Sequence, residues 1–188
     1  MIYIIIGPSG CGKTSIGVEL SNRLDCGFND ADEFHSIENI TKMKNGIPLN
    51  DDDRKPWLQS INKRILDIID YQKNNSNSNS NGNEELFLKS KKDHVFTCSA
   101  LKQIYRDMLT QGINGLDTLT IVYLKGSQEL IQKRLESRTN HFFNPSLLTS
   151  QFDILEEPNQ SLTTNYRIQI IDISDTIDNI VNKIISFQ

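Results

Sequence analysis

A glycine-rich segment near the start of the chain has the residue types that bind phosphate groups. Residues 7–14 read GPSGCGKT and match the pattern G-x-x-x-x-G-K-[ST] at every fixed position. The glycines let backbone N–H groups curl around a diphosphate, Lys13 reaches the β and γ phosphates, and Thr14 offers a hydroxyl to Mg²⁺. We therefore predict a nucleoside triphosphate site. Its predicted contact residues are Gly7, Ser9, Gly10, Cys11, Gly12, Lys13, Thr14 and Ser15.

Acidic residues follow a short predicted strand at 27–30. Asp30 ends that strand, Asp32 comes two residues later, and His35 follows. Because the carboxyl ends of parallel strands face the ligand crevice, these carboxylates are candidates for binding Mg²⁺ and a substrate hydroxyl. The alternative is that Asp32 caps the N-terminus of a helix, and the two roles are compatible.

Two segments carry basic residues that suit an anionic ligand. Arg54 follows three aspartates at the start of a predicted helix, and pairing with those acids is the alternative to ligand binding. Lys102 and Arg106 share one face of another predicted helix, for which Ser99 is the expected N-cap. This face suits either an anionic ligand or solvent, and the residue types alone do not decide between them.

A third basic segment lies later in the chain. Arg134 and Arg138 share one face near the end of a predicted helix, and the polar and aromatic residues beyond them are suited to close as a lid over the phosphates. The alternative is that the two arginines complement the helix dipole. His35 and His141 have no partner at metal-ligand spacing, so we expect no metal held by protein side chains alone.

Strand and helix signals place these residues on an α/β scaffold. The opening MIYIIIG predicts a buried central strand, and residues 13–24 predict a helix with Gly27 as its glycine stop. Further apolar runs predict strands that alternate with helical segments, which indicates a mostly parallel sheet covered by helices. These runs are residues 94–98, 119–124 and 168–173.

A long helix and a polar insertion are predicted between the strand at 27–30 and the strand at 94–98. Residues 51–71 carry apolar side chains at three- and four-residue spacing, with acids at the start and Pro56 in the first turns, where proline is tolerated. Residues 74–83, NNSNSNSNGN, have no apolar side chain and predict a disordered surface insertion, which with its flanks spans about 72–93. A partner-binding or aggregation-prone segment is the alternative to a neutral loop expansion.

Composition and charge exclude several classes of protein. The 188 residues predict one domain, and 20 basic against 24 acidic residues give a net charge of −4. Without a dominant basic surface, neither nucleic acid nor an anionic membrane is expected as the main partner. We see no signal peptide or membrane-spanning run, and three cysteines without C-x-x-C spacing fit a reducing compartment. We therefore expect a soluble cytoplasmic protein.

Taken together, the motifs resemble the gluconokinase family in both order and spacing. The resemblance covers nearly the whole chain except about 72–93, and its stretch from Pro48 to Leu58 is long and specific. The strings that carry it are GPSGCGKT, D-A-D-x-x-H, K-M-x-x-G-x-P-L-N-D-D-D-R-x-P-W-L, C-S-A-L-K-x-x-Y-R-D, Y-L-K-G, R-x-x-H-F-F and L-x-x-Q-F-x-x-L-E-x-P.

The resemblance implies a small P-loop kinase of the shikimate-kinase-like type. The implied fold is a three-layer α/β sandwich, with a five-stranded parallel sheet, helices on both faces and a mobile lid. The implied activity is ATP- and Mg²⁺-dependent phosphorylation of D-gluconate on its 6-hydroxyl, which gives 6-phosphogluconate. The resemblance also makes a homodimer a reasonable expectation.

The resemblance further implies individual roles at matching positions. Lys13 and Thr14 resemble phosphate and Mg²⁺ ligands, with Asp30 as a carboxylate near the metal. Asp32 resembles the residue that receives the substrate hydroxyl. The implied substrate-binding residues are Asp32, His35, Arg54, Lys102, Arg106 and His141, while Arg134 and Arg138 resemble phosphate clamps on the lid side.

Other functions stay open at this point. Shikimate kinase is expected to carry a glycine-rich turn after the third strand, where this chain has Cys98-Ser99-Ala100. A nucleoside monophosphate kinase needs a base pocket, and the polar cluster 51–54 offers no stacking aromatic residue. A nucleotide-dependent switch would bind ATP without phosphorylating a small acid. Residues 159–167 are polar with no clear ligand, so the sequence does not identify an adenine pocket.

Overall fold

The strands form one parallel sheet. The computed structural model describes residues 1–75, 93–137, 145–163 and 165–187. The strands are β1 (Ile2–Ile6), β2 (Gly27–Asp30), β3 (His94–Cys98), β4 (Leu119–Lys125) and β5 (Arg167–Asp172). They lie side by side in the order β2-β3-β1-β4-β5, and each neighbouring pair is parallel. The predicted α/β fold with a five-stranded parallel sheet is confirmed.

Helices connect the strands and cover both faces of the sheet. The helices are α1 (Lys13–Arg23), α2 (Ile37–Lys44), α3 (Asp51–Asn75), α4 (Gln103–Thr110), α5 (Gln128–Glu136), α6 (Pro145–Asp153) and α7 (Ile177–Ile185). Short 3-10 turns lie at Ala31–Phe34 and Gln160–Leu162. None of the helices in the described ranges combines the length and apolar content needed to cross a membrane.

The central strand shows why the sheet is buried on both sides. Every side chain of β1 is buried. Ile4 and its alternate neighbours join the cluster that α3 and α4 complete, whereas Tyr3 and Ile5 join the cluster of α1, α5 and α7. Because successive strand residues point to opposite faces, an unbroken apolar run is what a doubly covered strand requires. The apolar run MIYIIIG therefore indicates a central strand covered on both faces, which is the position of β1.

Gly27 differs from its predicted role as a helix stop. Helix α1 ends at Arg23, and Asp25 takes the left-handed conformation after it, with φ 46°. Gly27 instead begins β2, where a Cβ would come within 2.2 Å of the Nδ1 atom of His94 on β3. The prediction was wrong because this glycine is required by a close approach between neighbouring strands, which depends on tertiary packing.

Helix α3 runs four residues beyond its predicted end at Tyr71 and reaches Asn75. Its apolar face, including Leu58, Ile61 and Ile65, is fully buried against the sheet, as the spacing predicted. The predicted disordered insertion at about 72–93 is wrong for residues 72–75, which continue α3. Residues 76–92 lie outside the described residues, and for them it stays a prediction.

Candidate functional site

The glycine-rich loop follows β1 and leads into α1, as predicted. Gly10 and Gly12 have φ values of 86° and 103°, which favour glycine. A Cβ at Gly10 would also lie 2.5 Å from the Cγ atom of Leu135. Gly12 is the N-cap of α1 and supplies no side-chain hydrogen bond to the helix. The first N–H groups of α1 therefore remain suited to bind an anion.

Two side chains of the loop show how it is prepared for phosphate. The Nζ atom of Lys13 donates to the carbonyl oxygens of Gly7 and Pro8, each at 3.0 Å. This holds a positive charge across the loop. Cys11 is fully buried, and burial raises the pKa of its thiol. Cys11 therefore contributes its backbone and its small volume rather than a thiolate nucleophile.

Thr14 and Asp30 lie together at the edge of the loop. The Thr14 hydroxyl donates to Oδ2 of Asp30 at 2.9 Å. A hydroxyl next to a carboxylate supplies the hard oxygen donors that Mg²⁺ prefers. Among the described residues, no three His, Cys, Asp or Glu side chains are grouped to hold a metal. The Thr14 and Asp30 oxygens are the side-chain groups at this edge of the loop that suit Mg²⁺.

Asp30 also decides the role left for Asp32. The Oδ1 atom of Asp30 accepts a hydrogen bond from the backbone N–H of Asp32 at 3.1 Å and caps the 3-10 turn. The alternative interpretation, in which Asp32 is the cap, is therefore wrong. The side chain of Asp32 is 87% exposed and does not cap the turn. Local desolvation, followed by the nearby charge of Asp30, raises the pKa of this carboxyl.

His35 lies beside Asp32 in a buried position. Its side chain is only 5% exposed, and its Nε2 atom is 3.8 Å from Oδ1 of Asp32. The imidazole stacks on Trp57 with 4.3 Å between ring centroids, and burial lowers its pKa. Trp57 is itself fixed because its Nε1 donates to the carbonyl oxygen of Ala31 at 2.7 Å. Within the described ranges, the buried Nδ1 of His35 has no hydrogen-bond partner.

A second cluster joins the start of α3 to α4. Lys102 donates to both carboxylate oxygens of Asp51, at 3.1 and 2.9 Å, and Tyr105 donates to the same carboxylate. Arg54 donates to the Tyr105 hydroxyl at 3.3 Å. The two cations lie 5.4 and 5.6 Å from the centroid of the Tyr105 ring. We call Asp51, Arg54, Lys102 and Tyr105 the cation cluster.

The charges of the cation cluster do not balance. Hydrogen bonds from Tyr105 and Lys102 lower the pKa of Asp51 and keep it ionised. One carboxylate thus faces two cations, Lys102 and Arg54, the second at 3.5 Å from Asp51. The cluster has a net charge of +1 and suits a monoanionic ligand.

Arg106 does not join the cation cluster, contrary to its predicted role in substrate binding. Its side chain is fully buried, with an exposed fraction of 0%. Its guanidinium donates to the carbonyl oxygens of Ala100 and Leu101 and to Oε1 of Gln103. Arg106 therefore holds the turn that precedes α4, in which Ala100 has a left-handed φ of 38°.

The predicted cap of α4 is also corrected. Helix α4 begins at Gln103, so Ser99 lies too early to cap it, and Lys102 is the N-cap. The backbone N–H of Gln103 instead donates to Oε2 of Glu156 at 2.5 Å. Lys102 therefore lies outside the helix, and its predicted common face with Arg106 does not exist.

The later basic segment is described only in part. Arg134 donates to the carbonyl oxygen of Ile173, beyond the end of β5. Arg138 and His141 lie outside the described residues.

Sequence reasoning missed several residues of the site. Asp51 and Tyr105 were part of quoted motifs but received no role, because their contact joins positions 54 residues apart. Trp57 also received no role in the site, yet it is buried and stacks on His35. Gln151 on α6 bonds to Ser9 in the phosphate loop. A sequence motif shows which residue types occur at a given spacing, but it does not show which distant residue each of them contacts.

Comparisons with known proteins extend the similarity beyond the phosphate loop. The shikimate kinase family model matches residues 9–72. A probable gluconokinase of Dictyostelium discoideum is 52% identical, over 100% of this chain and 86% of that protein. The thermoresistant gluconokinase of Escherichia coli (strain K12) is 36% identical, over 96% of this chain and 89% of that protein.

A solved structure gives the same result. The crystal structure of a gluconokinase from Sinorhizobium meliloti 1021 aligns with a TM-score of 0.74 and 33% identity. The alignment covers 98% of this chain and 89% of that chain. The similarity therefore includes the sheet, the phosphate loop and the segments that carry the cation cluster.

Proposed function

This chain belongs to the gluconokinase family, and from that premise we propose that it transfers the terminal phosphoryl group of ATP to the 6-hydroxyl of D-gluconate with Mg²⁺. The cation cluster carries this proposal best. Its net positive charge lies on the same edge of the sheet as the phosphate loop. Gluconate is a monoanion with a carboxylate at one end and a primary hydroxyl at the other, so it needs both a cationic site and an acceptor for a proton.

The topology supports a common site for these groups. The phosphate loop follows β1, Asp32 follows β2, and the turn with Lys102 follows β3. These three strands are adjacent and parallel, so their carboxyl ends lie at one edge of the sheet. A direct contact joins the phosphate loop to the turn after β3, in which the Gly7 N–H donates to the carbonyl oxygen of Ser99 at 3.2 Å.

On the nucleotide side, we assign the loop from Gly7 to Ser15 to the phosphates. The loop N–H groups bind phosphate oxygens, and Lys13 exchanges its carbonyl contacts for the β and γ phosphates. Thr14 and Asp30 would hold Mg²⁺, and the ion would supply positive charge that stabilises the transferring phosphoryl group. Arg134 and Arg138 are assigned to the phosphates from the lid side.

On the substrate side, the carboxylate of gluconate binds Lys102 and Arg54. Asp32 accepts a hydrogen bond from the 6-hydroxyl and receives its proton as the oxygen attacks the γ phosphorus. His35 is neutral, and its unpartnered Nδ1 supports a role in binding a substrate hydroxyl. We assign His141 to the same pocket. These groups position the hydroxyl rather than form a covalent intermediate.

The proposed reaction is tested with a panel of acceptors. We expect ATP- and Mg²⁺-dependent ADP formation with D-gluconate to exceed that with shikimate, glycerol or nucleoside monophosphates, because only gluconate matches both ends of the site. Coupled detection of ADP measures turnover, and identification of 6-phosphogluconate by mass spectrometry fixes the product. Equal turnover of another acceptor would contradict the gluconate assignment. ATP binding without turnover of any acceptor would instead indicate a nucleotide-dependent switch.

A substitution at Lys102 tests whether the cation cluster binds the carboxylate of gluconate. We expect Lys102→Met to raise the KM for gluconate by about ten- to a hundredfold, because it removes a charged hydrogen-bond donor for the carboxylate. The KM for ATP is expected to stay close to that of the wild type. Lys63→Met is the matched control, since Lys63 pairs with Asp67 on the exposed side of α3. An unchanged KM for gluconate would remove the carboxylate from the cation cluster.

A further inference from the structure

Gln151 joins helix α6 to the phosphate loop by two hydrogen bonds. The backbone N–H of Ser9 donates to Oε1 of Gln151 at 2.7 Å. In return, Nε2 of Gln151 donates to the Ser9 hydroxyl at 3.1 Å. The carboxamide thus satisfies a backbone donor within the loop whose N–H groups are assigned to phosphate oxygens. No role in the proposed reaction has used this contact.

We propose that the Gln151 carboxamide oxygen is a placeholder for a phosphoryl oxygen of the nucleotide. It occupies the Ser9 N–H while the loop is empty and is displaced when a nucleotide binds. This inference rests on the nucleotide half of the proposed function and does not depend on which acceptor is phosphorylated. Gln151 is therefore a residue of the nucleotide site that sets the affinity of the loop by competition.

The chemistry of the two acceptors explains the exchange. An amide oxygen is a neutral acceptor, whereas a phosphoryl oxygen carries charge and forms shorter, stronger hydrogen bonds with N–H groups. The phosphate also gains the charge of Lys13 and the positive end of α1, neither of which a carboxamide uses to the same extent. The nucleotide therefore displaces the carboxamide, but its affinity is lowered because the hydrogen bonds between Gln151 and Ser9 must break.

The surroundings of α6 keep Gln151 close to Ser9. Leu148 is buried in the core, and Gln128 on α5 donates to the Thr149 hydroxyl at 2.9 Å. Beyond the helix, the N–H of Glu156 donates to the carbonyl oxygen of Leu101 at 2.9 Å. Because these contacts hold α6, the proposed displacement of Gln151 is a side-chain rotation rather than a movement of the helix.

Binding measurements on the full chain test the competition. We expect Gln151→Met, which keeps the length of the side chain, to bind Mg²⁺·ADP and a non-hydrolysable ATP analogue roughly two- to tenfold more tightly in isothermal titration calorimetry. Gln132→Met is the matched control, because it removes a hydrogen bond within α5, to Glu136 at 2.8 Å, that involves neither α6 nor the loop. Its nucleotide affinities are expected to stay within about twofold of the wild type. Weaker or unchanged nucleotide binding by Gln151→Met would overturn the proposal.

A charged variant gives a second, opposite result. Gln151→Glu retains the acceptor for Ser9 and adds a negative charge beside the phosphates. We expect this variant to bind nucleotide on the order of tenfold more weakly at pH 8. The loss is expected to shrink as the pH falls and the glutamate is protonated. Affinity at pH 8 equal to that of the wild type would contradict a shared position for the side chain and a phosphoryl oxygen.

The displacement of Gln151 by a nucleotide can also be followed by NMR in the wild-type protein. In a ¹H–¹⁵N spectrum, the side-chain amide signals of Gln151 are identified by their absence in Gln151→Met. We expect them to move on addition of Mg²⁺·ADP and to stay in place with gluconate alone. Signals that do not respond to nucleotide would overturn the placeholder. Failure of the chain to bind any nucleotide would instead refute the proposed function itself.

Discussion

Replacing Asp32 with asparagine is expected to lower kcat by about two to four orders of magnitude. The substitution keeps the size of the side chain but removes the charge that orients the 6-hydroxyl and accepts its proton. Because Asp30 supplies the cap of the 3-10 turn, the free energy of unfolding is expected to change by less than about 0.5 kcal/mol. Steady-state kinetics and urea unfolding measure the two quantities.

The pH dependence gives this prediction a second readout. Asp32 must be ionised to accept the proton, and its pKa is raised by desolvation and by the charge of Asp30. As the pH falls, the wild-type kcat/KM is therefore expected to decline at a higher pH than an ordinary aspartate would give. Asp32→Asn is expected to lose this acid limb.

A neighbouring acid supplies the control for Asp32. Glu33 lies on the same 3-10 turn and accepts a hydrogen bond from Asn29 at 3.0 Å. Glu33→Gln also removes one negative charge from the turn, and we expect it to keep a kcat close to that of the wild type. An Asp32→Asn enzyme with wild-type kcat would contradict the assignment and leave Asp30 as the next candidate.

Replacing Lys13 with alanine is expected to lower kcat by roughly a hundredfold or more. Its ammonium donates to two carbonyl oxygens of the loop, so its loss is expected to remove little from the folded protein. In the transition state the same charge stabilises the transferring phosphoryl group, and that interaction grows as the bond to the leaving oxygen breaks. The effect is therefore expected in kcat rather than in protein stability.

Single-turnover kinetics and nucleotide calorimetry separate the two contributions of Lys13. We expect ATP to bind more weakly to Lys13→Ala, but by a smaller factor than the loss in the rate of transfer. Lys63→Ala, which changes an exposed lysine on α3, is expected to match the wild type in both. A Lys13→Ala enzyme that retains near-wild-type kcat would show that the loop binds nucleotide without taking part in catalysis.

The proposals for Gln151 and Lys13 predict opposite changes in the nucleotide affinity of the same loop. Lys13→Ala is expected to weaken nucleotide binding, whereas Gln151→Met is expected to strengthen it. Two opposite effects from side chains that contact one short loop exclude a general loosening of the loop as the cause of either. The pair of variants thus distinguishes a ligand of the phosphates from a competitor of them.

The α/β fold and the phosphate loop were predictable from the sequence because both depend on local properties. A strand buried on both faces is mostly apolar, so β3 and β4 were found with bounds that differ from the structure by at most one residue. The loop conformation is set by glycines at positions with positive φ, and these are visible in the string itself.

The roles of charged residues were less predictable, because burial depends on what packs over a side chain. The spacing of Lys102 and Arg106 suggested one exposed helix face, yet Lys102 precedes α4 and Arg106 is fully buried. A helical period describes only residues within the helix, and it does not report how the preceding turn bends. The carbonyl groups of that turn required buried donors, and Arg106 supplies them.

The sequence by itself determined the strands, the glycine loop and the types of groups available for phosphoryl transfer, since these follow from periodicity and local backbone conformation. Only the tertiary structure decided which of those groups meet. Asp51 reaches Tyr105 across 54 positions, and Gln151 reaches Ser9 across 142. Such contacts arise when helices pack against a shared sheet, and the free energy that fixes them belongs to the whole core rather than to either local segment.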